Sequence, residues 1–326
     1  MNILKTEAYR FLDDDPRFGA NLILLGFGGS KAYGTSTPTS DTDIRGIATR
    51  REMDILLGED FEAFTEVKTD TVIYSFDKIL ALLSECNPNC IEMLGLRPED
   101  YLLMTPTGEE LLKRKSMFLS KRCINTFAGY ATQQLYRLRQ KSLDALTETE
   151  FNDHISKVIT GMTEHLEHSW HIPAGKIIVK NDNGLKITCK DLENIPAEDF
   201  YGILNEISNV IRAYHKRSVR NEKALAHAKI QKHAMHLLRL YMMAIDLLKK
   251  CEIITYRSAE HDLLMDIRNG KYMTEDGMMS QDFWTILKEY EVKFEEAKIN
   301  TKLPDEPDYE AIRAFRAMVN KGIVAD

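Results

Sequence analysis

Apolar residues change their spacing once along the 326-residue chain. Up to about residue 105 they fall in short runs bounded by glycine, proline and acids. Beyond it they recur at three- and four-residue spacing over long stretches. The short runs predict strands. Residues 21–27 hold Leu22, Ile23, Leu24 and Leu25 in a row, as a buried strand does. Residues 43–48 form a second run, and Thr71-Val72-Ile73-Tyr74 a third, β-branched and aromatic, introduced by Asp70. Residues 49–68 carry a mixed signal, as expected of a connecting hairpin or a loop with a short helix. Phe76, Ile79, Leu80 and Leu83 share a helical face behind Ser75, a good cap. Asn87-Pro88-Asn89 interrupts that helix, and residues 90–96 predict another short one. At the front, residues 4–12 predict a short helix stopped by Asp13-Asp14-Asp15-Pro16, three acids best read as a solvated turn.

The long stretches predict helices at 109–114, 122–141, 148–170, 198–215, 224–250, 262–267, 280–297 and 309–320. One interruption, near 175–190, reads as a hairpin: Ile177-Ile178-Val179, the turn Asn181-Asp182-Asn183-Gly184, then Leu185 to Thr188. The expected class is α+β. A small mixed β-sheet core with flanking helices (1–104) is followed by a mainly helical domain (105–326) that carries the hairpin.

Composition changes this picture little. Hydrophobic content of 44% and charged content of 29% suit a soluble globular chain, and a net charge of −7 argues against wide non-specific binding of nucleic acid. Five scattered cysteines show no paired zinc spacing, and buried free thiols in a reducing compartment account for them. The N-terminus lacks the apolar core of a signal peptide, and no run is long enough to span a membrane. A cytoplasmic protein is expected.

Candidate chemistry gathers at GFGGSKAYGTSTPTSDTDIRGI, residues 26–47. A strand breaks at a Gly28-Gly29-Ser30 turn that starts a short helix, and after a polar loop Asp41 and Asp43 lead the next apolar run. Period 2 places both acids on one face of that strand. Glycine permits close backbone approach to a ligand, and helix-start N–H groups favour phosphate. Paired carboxylates can hold the divalent cations that nucleotidyl transfer uses, with Asp70 as a third. The plain alternative has Asp41 capping a turn and Asp43 paired with Arg45 or Arg50. Two adjacent acids would nevertheless repel unless a cation neutralised them.

The stretches GGSKAYGT and SDTDIRGI resemble the signature of the DNA polymerase β-like nucleotidyltransferase superfamily. The closer likeness is to predicted bacterial and phage nucleotidyltransferases, some associated with RNA repair. DTVIYSFDKILALLSECNPNCIEML, FAGYATQQLYRLR and KHAMHLLRLY are similar to further segments of that family. The resemblance implies that Gly29 and Ser30 bind nucleotide phosphates and that Asp41 and Asp43 bind Mg2+ (or Mn2+). It implies Asp70 as the third acid, with Glu62 and Glu66 as substitutes. The implied reaction transfers a nucleoside monophosphate from an NTP to an acceptor hydroxyl on RNA, a protein or a small molecule. A nucleotide- or RNA-binding module without chemistry is the other reading.

The helical part adds Lys232, His236 and Arg239, which share a helix face suited to a triphosphate or a nucleic-acid backbone, or else to solvent. Glu92 is expected to be a helix-start acid, and His165, His168 and His171 an exposed helix end. Basic clusters at 113–115 with 121–122, at Arg137-Arg139-Lys141 and at Lys216-Arg217 with Arg220 and Lys223 could line an RNA groove or lie on solvated helix faces. Tyr130, Tyr136 and Tyr214 interleave with them, as base stacking or helix packing would require.

Overall fold

Two apolar faces build the sheet. In the computed structural model, which describes residues 3–143, 148–169, 172, 176–181, 185–190, 196–218, 227–275 and 277–325, five strands lie in the order β3-β4-β2-β1-β5. They are β1 (Leu22–Phe27), β2 (Ile44–Ala48), β3 (Ala63–Glu66), β4 (Thr71–Ser75) and β5 (Tyr101–Met104). Only β2 and β4 pair in parallel, so the sheet is mixed. On one face Leu22, Leu25, Ile44, Ala48 and Ile73 pack with Tyr9, Leu12 and Phe18. On the other, Ile23, Leu24 and Ile47 pack with Phe76, Ile79 and Leu83 of the helix Phe76–Ser84. A central strand buried on both faces reads as an unbroken apolar run, which is why β1 is plain in the sequence.

Local signals explain the element ends. Ser75 Oγ accepts from Lys78 N at 3.2 Å, capping Phe76–Ser84 as expected. Asn87 caps the next short helix, Pro88–Ile91, with Pro88 in its first turn. Residues 49–68 resolve into a helix, Glu52–Leu57, and the strand β3, hairpin partner of β4. Two expectations need correcting. Residues 4–12 form two 3-10 turns followed by a four-residue helix, Phe11–Asp14, because Ile3, Leu4 and Phe11 pack against the sheet core. Strand β5 was not anticipated: it is four residues long and pairs with β1 only because Pro98–Asp100 turns the chain there.

The chain divides into two compact units. The first holds Met1–Tyr136, Lys232–Tyr272 and Ser280–Asp326. Within it the sheet's second face is completed from far along the sequence, by Leu240, Met243 and Leu247, by Phe294, and by Ile312 and Phe315. The second unit holds Arg137–Gln231 with Met273–Met279. There the helices Glu148–Ser169 and Ala197–Ser218 enclose Met162, Leu166, Ile203 and Val210 with the hairpin β6 (Ile177–Asn181) and β7 (Leu185–Cys189). The hairpin is antiparallel as expected, and its tip at 182–184 lies outside the described residues. Among the described residues no helix is long and apolar enough to cross a membrane.

Phe76 and Phe315 meet edge to face at 5.6 Å, joining the first core helix to the last helix, Tyr309–Ala325. Phe76→Ala is expected to cost about 3–5 kcal/mol of stability, measured by urea denaturation.

Candidate active site

Strand register brings the predicted acids together. Phe27 of β1 opposes Ile44 of β2, and one step further Gly28 N donates to Asp43 O at 2.9 Å. On the other side of β2, Ile44 runs beside Thr71, and Ile44 N donates to Asp70 O at 3.2 Å. Gly28, Asp43 and Asp70 therefore stand abreast at the ends of three adjacent strands. Gly28 also leads into the short helix Gly29–Tyr33. Gly29 takes φ +54°, and a Cβ there would overlap Asp43 Oδ2. The Asp43 carboxylate thus lies against the glycine backbone, where only a residue without a side chain fits.

The electrostatics follow from that crowding. The Asp43 carboxyl is pushed up to about 6, first by burial, then by its hydrogen bond to Asp70 and that residue's charge; Arg45 opposes the shift and Asp41 adds to it. A hydrogen bond between two carboxyls needs a shared proton, the usual outcome of like charges in one site. Arg45 projects beside them, its Nη1 donating to Asp70 O at 2.8 Å and lying 3.4 Å from Asp70 Oδ1. Asp41 is exposed, at the exit of the polar loop. That loop is pinned by Arg268, which donates to Thr35 O and, at 2.8 Å, to Ser40 Oγ. The strand starts only at Ile44, so both acids precede it rather than sharing a strand face. Of the substitutes for Asp70, Glu62 is 2.9 Å from Lys78 Nζ, and Glu66 accepts from Lys68 N at 3.1 Å in its own turn. All the donors at Asp41, Asp43 and Asp70 are hard oxygens, and the pair Asp43–Asp70 is short of positive charge, which fits a divalent cation of the magnesium type. Among the described residues, however, no three acids, histidines or cysteines converge as a ready ligand set.

The helix His227–Lys250 places its three candidates differently from one another. Lys232 is exposed. Arg239 is 2% exposed, its guanidinium 3.3 Å from the Tyr33 ring centroid and 3.3 Å from Glu92 Oε2. Tyr33 donates its hydroxyl to the same Glu92 oxygen. Arg239 Nη2 lies 2.7 Å from His236 Nδ1, which must then accept, leaving the ring proton on Nε2. Arg239 is therefore committed to a buried pair beneath the Gly29–Tyr33 helix, not presented to solvent. Glu92 is likewise not a surface dipole acid: burial pushes its carboxyl up, and Arg239 chiefly restrains the shift.

Residues 9–159 match the family model for RlaP, the RNA repair pathway DNA polymerase beta family. The match supports a polymerase β-like nucleotidyltransferase family for this stretch. Comparison with curated proteins and with solved structures gives no match. The matched stretch contains Gly29, Ser30, Asp41, Asp43, Asp70 and Glu92, while Lys232, His236 and Arg239 lie beyond it.

Among the other candidates, Lys113, Arg114, Lys121, Arg122 and Tyr130 have partners of their own. Lys113 and Arg114 pair with Glu110, Lys121 with Asp305 and Arg122 with Glu306. Tyr130 accepts from Asn87 Nδ2 at 3.2 Å, a packing role. The side chains of Tyr136, Tyr214, His165, His168, His171 and the two remaining basic clusters lie outside the described residues. Cys86, Cys90 and Cys123 are buried free thiols, as expected, whereas Cys189 and Cys251 are exposed. Sequence reasoning in turn missed Tyr33 and gave Arg45 only a bystander's part. Their signals were present: Arg45 stands two positions after Asp43, and Tyr33 ends the glycine-serine helix.

Because the folded state holds the Asp43 proton more tightly than the unfolded chain, its contribution is greatest at low pH and fades as pH rises through about 6. In chelator-treated protein at pH 8, Asp43→Asn should then be more stable than the parent by about 1 kcal/mol, a figure discounted for partial exposure. The advantage should vanish below pH ~4, where the carboxyl is protonated in both states, and thermal melts at the two pH values check it.

Proposed function

We propose that the protein is a divalent-cation-dependent nucleotidyltransferase, moving a nucleoside monophosphate from an NTP to an acceptor hydroxyl. The observation that carries this reading is that Gly28, Asp43 and Asp70 stand abreast at three adjacent strand ends, with the Asp43 carboxylate against the backbone of Gly29 at a helix start. The backbone N–H groups of Gly29 and Ser30 would receive the triphosphate. Asp41 and Asp43 would hold Mg2+ or Mn2+ with Asp70, the acid that would also take the acceptor proton. A bound cation supplies charge neutralisation at the transferring phosphorus. The acceptor oxygen forms a bond to the α-phosphorus, the bond to the bridging oxygen breaks, and pyrophosphate leaves. The buried Arg239–Glu92–Tyr33 group steadies the Gly29–Tyr33 helix from below rather than touching the nucleotide.

The family description supports an RNA end as the acceptor, with a protein or small-molecule hydroxyl as the other outcomes. Free cysteines suit a reducing cytoplasm. A binding module without chemistry is the second reading, favoured by the lack of a converged ligand set among the described residues. Incubation with each labelled NTP, Mg2+ or Mn2+, and total RNA or protein extract separates the two. Transfer of label is expected, and Asp41→Ala and Asp43→Ala should each lower it at least ~1,000-fold, about 4 kcal/mol in barrier, without loss of fold by circular dichroism. Cation-dependent NTP binding with no product would favour the binding module. Wild-type turnover in either variant would remove that acid from the site.

A further inference from the structure

Asp70 holds an uncommon backbone conformation, φ +43°. A left-handed residue other than glycine is strained, less so for Asp, and persists where its surroundings impose it. Two donors from β2 hold this one. Ile44 N and Arg45 Nη1 both donate to Asp70 O, at 3.2 and 2.8 Å. The same Arg45 nitrogen lies 3.4 Å from Asp70 Oδ1 and donates to Ile44 O at 3.0 Å. One guanidinium nitrogen therefore ties the carbonyl and the carboxylate of Asp70 to the start of β2. The route is tight: a Cβ on Gly28 would lie 3.2 Å from Arg45 Cγ and 3.4 Å from Asp43 Cβ. The absence of a side chain at Gly28 leaves room for Arg45 and Asp43 to share one side of the chain and reach the same neighbour.

We propose that Arg45 is a positioning residue that fixes Asp70 in its left-handed turn, so that the Asp70 carboxylate faces Asp43 and the two form one cation site. The inference rests on the reading of Asp70 as the third acid. Arg45 is not itself a ligand and does not touch the nucleotide. Its charge opposes an incoming cation, so charge alone predicts tighter binding when it is removed. Positioning predicts the reverse.

Titration of Mn2+ into the full-length protein, followed by electron paramagnetic resonance, discriminates the two. Arg45→Gln should weaken Mn2+ binding about ten-fold, the scale of a lost orienting partner. Asp70→Asn should weaken it as well, and Arg45→Gln should add nothing in the Asp70→Asn background, because Arg45 acts through Asp70. If Arg45→Gln binds Mn2+ as tightly as the parent or tighter, the proposal is overturned. Additive losses in the double variant overturn it too, since Arg45 would then act elsewhere. If Asp70→Asn alone leaves Mn2+ binding unchanged, the reading of Asp70 fails and the proposal goes with it. Should Arg45→Gln not fold, Arg45→Lys carries the same cycle, with a smaller loss expected and the same additivity rule.

Discussion

The constraint on which the rest depends is the register of β2, paired antiparallel with β1 through Phe27 and Ile44 and parallel with β4 through Ile44 and Thr71. A slip of one residue in either pairing would turn Ile44 and Ala48 out of one core and Ile47 out of the other. The cores therefore fix the register, and the register fixes where the acids stand. Parallel pairing of β2 with β4 requires a long connection, which the helix Glu52–Leu57 and the strand β3 provide. That connection delivers Asp70 to the same end of the sheet as Asp43. The apolar interior thus sets the geometry of a polar site that it does not touch.

Setting two carboxylates side by side is costly unless positive charge is near, and the first unit arranges its charges in alternating layers. Asp43 and Asp70 lie beside Arg45, whose charge also restrains the buried Glu92, and Glu92 in turn holds Arg239. Glu92 and Arg239 each meet an opposite partner, whereas Asp43 and Asp70 share the single charge of Arg45. Glu92 and Arg239 are almost wholly buried, where removal of one partner would strand the other's charge. The pair also crosses the sequence: it ties a helix far down the chain to Tyr33, the last residue of the glycine-serine helix. Orientation of that helix start is accordingly decided by residues the local motif does not contain.

The same facts explain what could be read in advance. The glycine-serine turn, the two spaced acids and the acid leading β4 are local features, legible because backbone conformation and strand propensity are local. Burial of Arg239 was not legible. Periodicity shows that Lys232, His236 and Arg239 share a helix face, yet it cannot say whether the face meets solvent or Tyr33 and Glu92, which come from remote segments. Strand β5 failed for a related reason, since four residues carry no usable period and pairing with β1 decides them. Asp41 and Asp43 precede the strand itself, which starts at Ile44, just after a loop that Arg268 pins at Thr35 and Ser40.

Charge outside the site bears on how a polyanionic acceptor could be met. Lys113 and Arg114 are paired with Glu110, Lys121 with Asp305 and Arg122 with Glu306 on exposed surface. Such pairs contribute only about 0–1 kcal/mol, so a phosphate could replace the carboxylate partner at small cost. The net charge of −7 acts at longer range and opposes the approach of nucleic acid before any contact is made. Short-range exchange of partners is therefore the easier step, and long-range steering the harder one.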